Sequence, residues 1–77
     1  MKSKYLELAE EQFFNLKEET LDSDRKSLGA EDTVNYYDEN NKRFSIKVNG
    51  YWEKATWFDY WVYDEFNNLL EKDIYII

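Results

Sequence analysis

A chain of 77 residues with 17 acidic and 10 basic side chains, net charge −7, and neither Cys nor His is bounded tightly by those counts alone. One domain of this size buries roughly 60% of its unfolded surface, so most side chains serve the fold. Disulfides, zinc sites and nucleophilic triads are excluded, because each needs Cys or His. Stability must come from packing, for which the 5 Phe, 7 Tyr and 3 Trp supply much apolar area per ordered residue. The acidic balance repels nucleic acid and anionic membrane and suits a basic protein surface.

Residues 3–21 read as a helix. Leu6, Ala9, Phe13 and Leu16 recur at helical spacing and form one stripe, and Ser3 can cap the start. Diametrically opposite, Glu7, Glu11, Glu18 and Asp22 form an outer line of carboxylates, with Phe14 within it and Leu21 at its edge. Like charges four residues apart cost a few tenths of a kcal/mol each, so this line weakens the helix slightly. Phe14 has two readings, a ring folded back under the following connector or an exposed anchor ringed by carboxylates. Met1 to Gln12 carry carboxylates where a secretory signal needs an apolar stretch, and no apolar run approaches membrane-spanning length; the expectation is a cytoplasmic protein with no membrane partner.

Residues 22–32 are polar, contain Gly29 and read as a connector. Asp22, Asp24, Glu31 and Asp32 do not have the alternating spacing of a calcium loop, and two glycines, Gly29 and Gly50, are too few for a phosphate-binding loop. No metal or cofactor is expected.

Beyond the connector the apolar period becomes two, giving strands at about 33–38, 42–48, 51–64 and 68–77. Tyr37-Asp38-Glu39-Asn40-Asn41-Lys42 resembles Tyr63-Asp64-Glu65-Phe66-Asn67-Asn68. In each, Asp opens a type I turn and the second-to-last Asn takes a left-handed position. Between them, Asn49-Gly50 is the strongest short hairpin signal, because a type I′ turn needs positive φ at both central residues. The implied fold class is α+β: an N-terminal helix packed on a four-stranded antiparallel β-meander.

The registers conflict at one place. Closure of Asp38 on Lys42 pairs Tyr36 with Phe44 and Val34 with Ile46, and closure of Asp64 on Asn68 pairs Val62 with Leu70, Phe58 with Ile74 and Thr56 with Ile76. A turn at Asn49-Gly50 pairs Val48 with Tyr51 and Phe44 with Ala55, which puts odd residues of the third strand on the core side where the second hairpin wants even ones. A bulge in the third strand, between Glu53 and Thr56, would switch the parity. The helix would then cover Val34, Tyr36, Phe44, Ile46, Val48, Phe58, Val62, Leu70, Ile74 and Ile76.

The opposite face would pair Trp57 with Tyr75, Asp59 with Asp73, Trp61 with Glu71 and Tyr63 with Leu69, aromatic and acidic together. Opposed Asp59 and Asp73 invite a cation. They could in principle hydrolyse a glycoside between Trp57 and Trp61 as sugar platforms, but a flat sheet face offers no cleft to exclude water, so the chain is not read as an enzyme. The expected function is that of a small acidic protein that blocks a basic, nucleic-acid-binding surface of a partner. Its size and charge resemble phage-encoded inhibitors of host defence, of the anti-CRISPR or anti-restriction type, which act as DNA mimics. The expected contact residues are Glu7, Glu11, Phe14, Glu18, Asp22, Trp57, Asp59, Trp61, Glu71, Asp73 and Tyr75. Three alternatives stand beside it: an immunity protein or antitoxin for a basic toxin, a module that stacks sugars or nucleobases on its aromatic face, and a structural domain without a special partner.

Overall fold

The computed structural model describes residues 2–22 and 28–77, Asp22 by its backbone alone. Helix α1 (Lys4–Asp22) is followed by β1 (Gly29–Tyr37), β2 (Arg43–Tyr51), β3 (Trp57–Tyr63) and β4 (Leu69–Ile76), which form one antiparallel sheet in the order β1-β2-β3-β4. The expected α+β meander is therefore the fold. Strand β1 starts four residues earlier than the alternation indicated, so its first residues were expected in the connector. The rest of that connector, residues 23–27, lies outside the described residues.

Ser3 caps α1: its Oγ accepts from the Leu6 N–H at 3.0 Å, and Glu7 in the first turn suits the positive end of the helix dipole. The stripe turns inward as expected. Ala9 and Phe13 are fully buried with Phe44, Ile46, Val48, Phe58, Tyr60 and Val62. Gln12 also lies inside, with both its amide nitrogen and its amide oxygen hydrogen-bonded. Its Nε2 donates to the Ile46 carbonyl at 3.0 Å and to that of Asp32 at 3.4 Å, and its Oε1 accepts from the Tyr36 hydroxyl at 2.8 Å. A buried amide so satisfied costs little and ties α1 to β1 and β2 together.

Both repeated turns form. The Asp38 and Asp64 N–H groups donate to the carbonyls of Lys42 and Asn68, and each Asp carboxylate accepts from N–H groups of its own turn. Asn41 and Asn67 adopt positive φ of 61° and 66°, as the repeat implied. The pairs Tyr36–Phe44 and Val34–Ile46 are found as expected.

The Asn49-Gly50 turn does not form. Strand β2 runs straight through both residues, pairing Val48 with Tyr60, Asn49 with Asp59 and Gly50 with Phe58, and residues 52–56 make the connection instead. Neither glycine has positive φ. What Gly50 supplies is the absence of a side chain: a Cβ there would collide with two ring carbons of Phe13, which stacks on Phe58 at 5.0 Å and leans on Trp52 at 6.1 Å. With the turn gone, Phe58, Tyr60 and Val62 already face the helix, so no bulge is needed between Glu53 and Thr56.

A register shift does occur, one hairpin later. Tyr63 pairs with Leu69 as expected, but Val62 pairs with Glu71, so Leu70 is an extra residue in β4. Every residue beyond it changes face. Ile74 and Ile76, expected in the core, point away from the helix and are 59% and 74% exposed; Leu70, at the bulge, is exposed as well. Glu71, Asp73 and Tyr75 take the helix side in their place.

Substituting Gly50→Ala separates the two roles of this glycine. A turn glycine of positive φ would resist any side chain through backbone strain, whereas here the added methyl must displace Phe13. The expected cost is about 1–3 kcal/mol, read by urea denaturation, and the double variant Gly50→Ala, Phe13→Leu should lose less than the sum of the single changes.

Candidate functional site

The sequence and the fold together present two surfaces. On the first, Glu7, Glu11 and Glu18 are exposed along α1, as expected, while the side chain of Asp22 lies outside the described residues. The helix carries six acidic residues against Lys4 and Lys17. Phe14 is 40% exposed and meets the edge of Phe13 at 5.3 Å; the cover expected from the connector falls on residues outside the description.

Beside this line runs a groove that the sequence did not reveal. Helix α1 lies across the sheet so that part of β1 stays open, leaving a cleft of about 380 Å³. Leu8, Leu16, Val34 and Tyr36 supply its apolar surface, and Glu11, Glu19 and Asp32 its carboxylates. Glu11 belongs to both the outer line and the groove. The only signal in the sequence was the polar start of β1, read as connector, which placed Asp32 off the sheet.

The second surface is the sheet face away from α1. Trp57, Asp59 and Trp61 lie on it together, as expected, but their partners differ. Trp57 pairs with Ile76, Asp59 with Ile74 and Trp61 with Lys72. The expected oppositions Trp57–Tyr75, Asp59–Asp73 and Trp61–Glu71 are absent, because the extra Leu70 turns Glu71, Asp73 and Tyr75 to the helix side. The face is accordingly not an acidic aromatic clamp. The ammonium groups of Lys47 and Lys72 lie 5.0 Å and 5.8 Å from the centre of the Trp61 ring, and Tyr51 leans on Trp57 at 5.8 Å.

The displaced residues acquire structural work. Glu71 accepts from the hydroxyls of Ser3 at 2.7 Å and Tyr60 at 2.6 Å, joining the helix cap to β3 and β4. Tyr75 packs on Phe58 at 5.7 Å and receives the Lys2 ammonium over its ring at 5.0 Å, while Lys2 also pairs with Glu10 at 2.7 Å. Asp73 is exposed opposite Tyr60, and its Oδ1 accepts from the Ile74 N–H. Among the described residues no group of three or more acidic side chains is arranged to hold a metal ion, and no helix is long and apolar enough to cross a membrane.

No protein-family model, curated protein or solved structure matches this chain.

The Ser3–Glu71–Tyr60 cluster makes stability depend on alkaline pH. Burial, and then the hydrogen bond to Glu71, push the Tyr60 hydroxyl well above the ordinary phenol range. The folded state keeps this proton where the unfolded chain, with a tyrosine pKa near 10, has lost it. Its stabilisation is complete below about pH 10 and declines as pH rises towards the raised value. Tyr60→Phe should cost about 1–2 kcal/mol at pH 7 and flatten the alkaline decline, measured by denaturant midpoints between pH 8 and pH 11.

Proposed function

We propose that this chain is a small acidic binding protein that occupies a basic surface of a partner, with the groove between α1 and β1 and the adjoining carboxylates of α1 as its contact surface. The groove carries the reading. Its apolar walls match the methylene stem of an arginine or lysine, and Glu11, Glu19 and Asp32 match the charged head. Glu7 and Glu18 extend the negative charge along the helix beyond the groove. Glu7 and Glu11 are separated by about 6 Å along the helix axis and Glu11 and Glu18 by about 10.5 Å, so the line is sparser than the phosphates of one DNA strand, about 3.4 Å apart along the axis. The groove compensates by offering a seat for a side chain, which a phosphate row does not have.

The partner class this favours is a nucleic-acid-binding protein whose basic site is blocked by charge mimicry, with the pair acting in the cytoplasm. Inhibition of a host defence nuclease fits that chemistry. The same surface would serve an immunity protein against a basic toxin, and a neighbouring toxin gene would distinguish the two. The sheet face contributes less than the sequence suggested, since Glu71, Asp73 and Tyr75 are turned away from Trp57 and Trp61.

The reading predicts capture of basic, nucleic-acid-binding proteins from the source organism, with affinity of about micromolar or tighter, released as salt rises and competed by DNA. An arginine-rich peptide serves as a defined probe. The triple change Glu11→Gln, Glu19→Gln, Asp32→Asn should weaken peptide binding at least about tenfold at 0.1 M salt and remove most of its salt dependence, by isothermal titration, with the thermal midpoint little changed. Equal binding by the triple variant would move the contact away from the groove.

A further inference from the structure

The two edges of the sheet are finished differently. Strand β4 carries the bulge at Leu70 and the charge of Lys72, and on its helix side the Lys2 ammonium lies over Tyr75. Bulges and lysines keep an edge strand from pairing with another chain. Strand β1 carries neither. Its nine residues pair with β2 without a register shift and include no Lys, Arg or Pro; their only charges are the acidic Glu31 and Asp32. At the two ends of this pairing the Asp38 N–H donates to the Lys42 carbonyl and the Trp52 N–H to the Leu28 carbonyl. By the alternation of an antiparallel ladder, the even residues between them bond to β2 and the odd ones turn their peptide groups outward. Those odd residues, Glu31, Thr33, Asn35 and Tyr37, are all exposed. The outward N–H of Thr33 is held by the carboxylate of Asp32 at 2.9 Å, and Asp32 is also a wall of the groove.

We propose that the β1 edge takes up an extended basic segment of the partner as a fifth strand, antiparallel to β1, whose side chains on the helix side enter the groove. This strand addition rests on the groove being the contact surface, as proposed above, and supplies the backbone of its occupant. The outward peptide groups of β1 give main-chain bonds to an extended chain, and the side-chain sites beside them choose its sequence. Asp32, Val34 and Tyr36 line the groove from the sheet, and Glu11 and Glu19 line it from α1. Every second residue of an added strand lies opposite Asp32, Val34 and Tyr36, with its side chain on their face. Arginine or lysine at those positions meets three carboxylates, and neither β1 nor the groove holds a cation of its own. Asp32 couples the two parts of the contact: an incoming carbonyl accepts the Thr33 N–H, and the carboxylate it displaces pairs with the incoming cation. The β4 edge would set the same segment against Lys2 and Lys72.

The test uses the full chain and a nine-residue peptide, the length of β1, in which arginine alternates with threonine. The peptide is made unmodified, with methyl groups on the backbone nitrogens of its threonines, or with methyl groups on those of its arginines. In an antiparallel strand whose arginines lie on the helix side, the threonine N–H groups point at β1 and the arginine N–H groups point away. Isothermal titration at about 0.1 M salt should find the arginine-methylated peptide within about twofold of the unmodified one and the threonine-methylated peptide at least about tenfold weaker. Amide exchange at Thr33 and Asn35 should slow when the unmodified peptide is added, while exchange at Val34 and Tyr36, already bonded to β2, changes little. Equal or inverted sensitivity to the two methylations, unchanged exchange at Thr33 and Asn35, or no binding of the unmodified peptide up to about 1 mM overturns the strand addition. The groove reading fails separately: if the peptide binds but is equally indifferent to methylation, and the triple change Glu11→Gln, Glu19→Gln, Asp32→Asn still weakens it, the groove stands and the fifth strand alone falls. If the triple change leaves the affinity as it was, both fall.

Discussion

The ring of Phe13 resting on the bare backbone of Gly50 is the contact from which the rest of this fold follows. It brings α1 closer to β2 than any side chain at position 50 would allow, and it lets Phe13 reach Phe58 on β3. For Gly50 to serve as that seat, it must lie within a strand, so β2 extends to Tyr51 and the connection to β3 moves to residues 52–56. The regular pairing of β2 with β3 is then available without any correction of parity. One close approach thus sets the length of two strands and the position of a loop.

The second organising feature is the extra Leu70 in β4. A bulge inserts one residue and reverses the alternation beyond it, which here exchanges isoleucines for a glutamate and a tyrosine on the helix side. The exchange costs apolar burial at Ile74 and Ile76. It returns the bond from Ser3 to Glu71 and the bond from Tyr60 to the same oxygen, together with the packing of Tyr75 on Phe58. The helix start and the last strand are joined by this cluster. The bulge and the charged Lys72 and Asp73 also interrupt an edge strand that would otherwise present a continuous apolar row.

These two features sort the charge of the molecule. Carboxylates dominate the helix side and the groove beside β1, while the opposite sheet face is close to neutral and aromatic. A −7 chain with evenly spread charge would offer no preferred surface for association. Segregation leaves one side of the chain rich in carboxylates and the opposite sheet face close to neutral.

What the sequence by itself determined is whatever depends on neighbours along the chain. The helix from its stripe of Leu6, Ala9, Phe13 and Leu16, the cap at Ser3, both Asp-to-Asn turns and the pairing of β1 with β2 are local in origin: periodicity and turn chemistry are written within a few residues. The exposed line of Glu7, Glu11 and Glu18, and the shared face of Trp57, Asp59 and Trp61, were legible for the same reason. The groove of Glu11, Glu19 and Asp32 was not, since it joins residues of α1 to one of β1 that local pattern assigned to a connector. Tertiary structure decided the two glycine and bulge questions, and both defeat local reading in the same way. Asn49-Gly50 has the chemistry of a turn, yet the glycine is needed under an aromatic ring that arrives from position 13. Leu70 has the chemistry of a core residue, yet the register is set by where Glu71 can receive hydroxyls from Ser3 and Tyr60. In each case the deciding energy comes from a partner distant in the chain, and a contact of that range leaves no periodicity in the sequence to read.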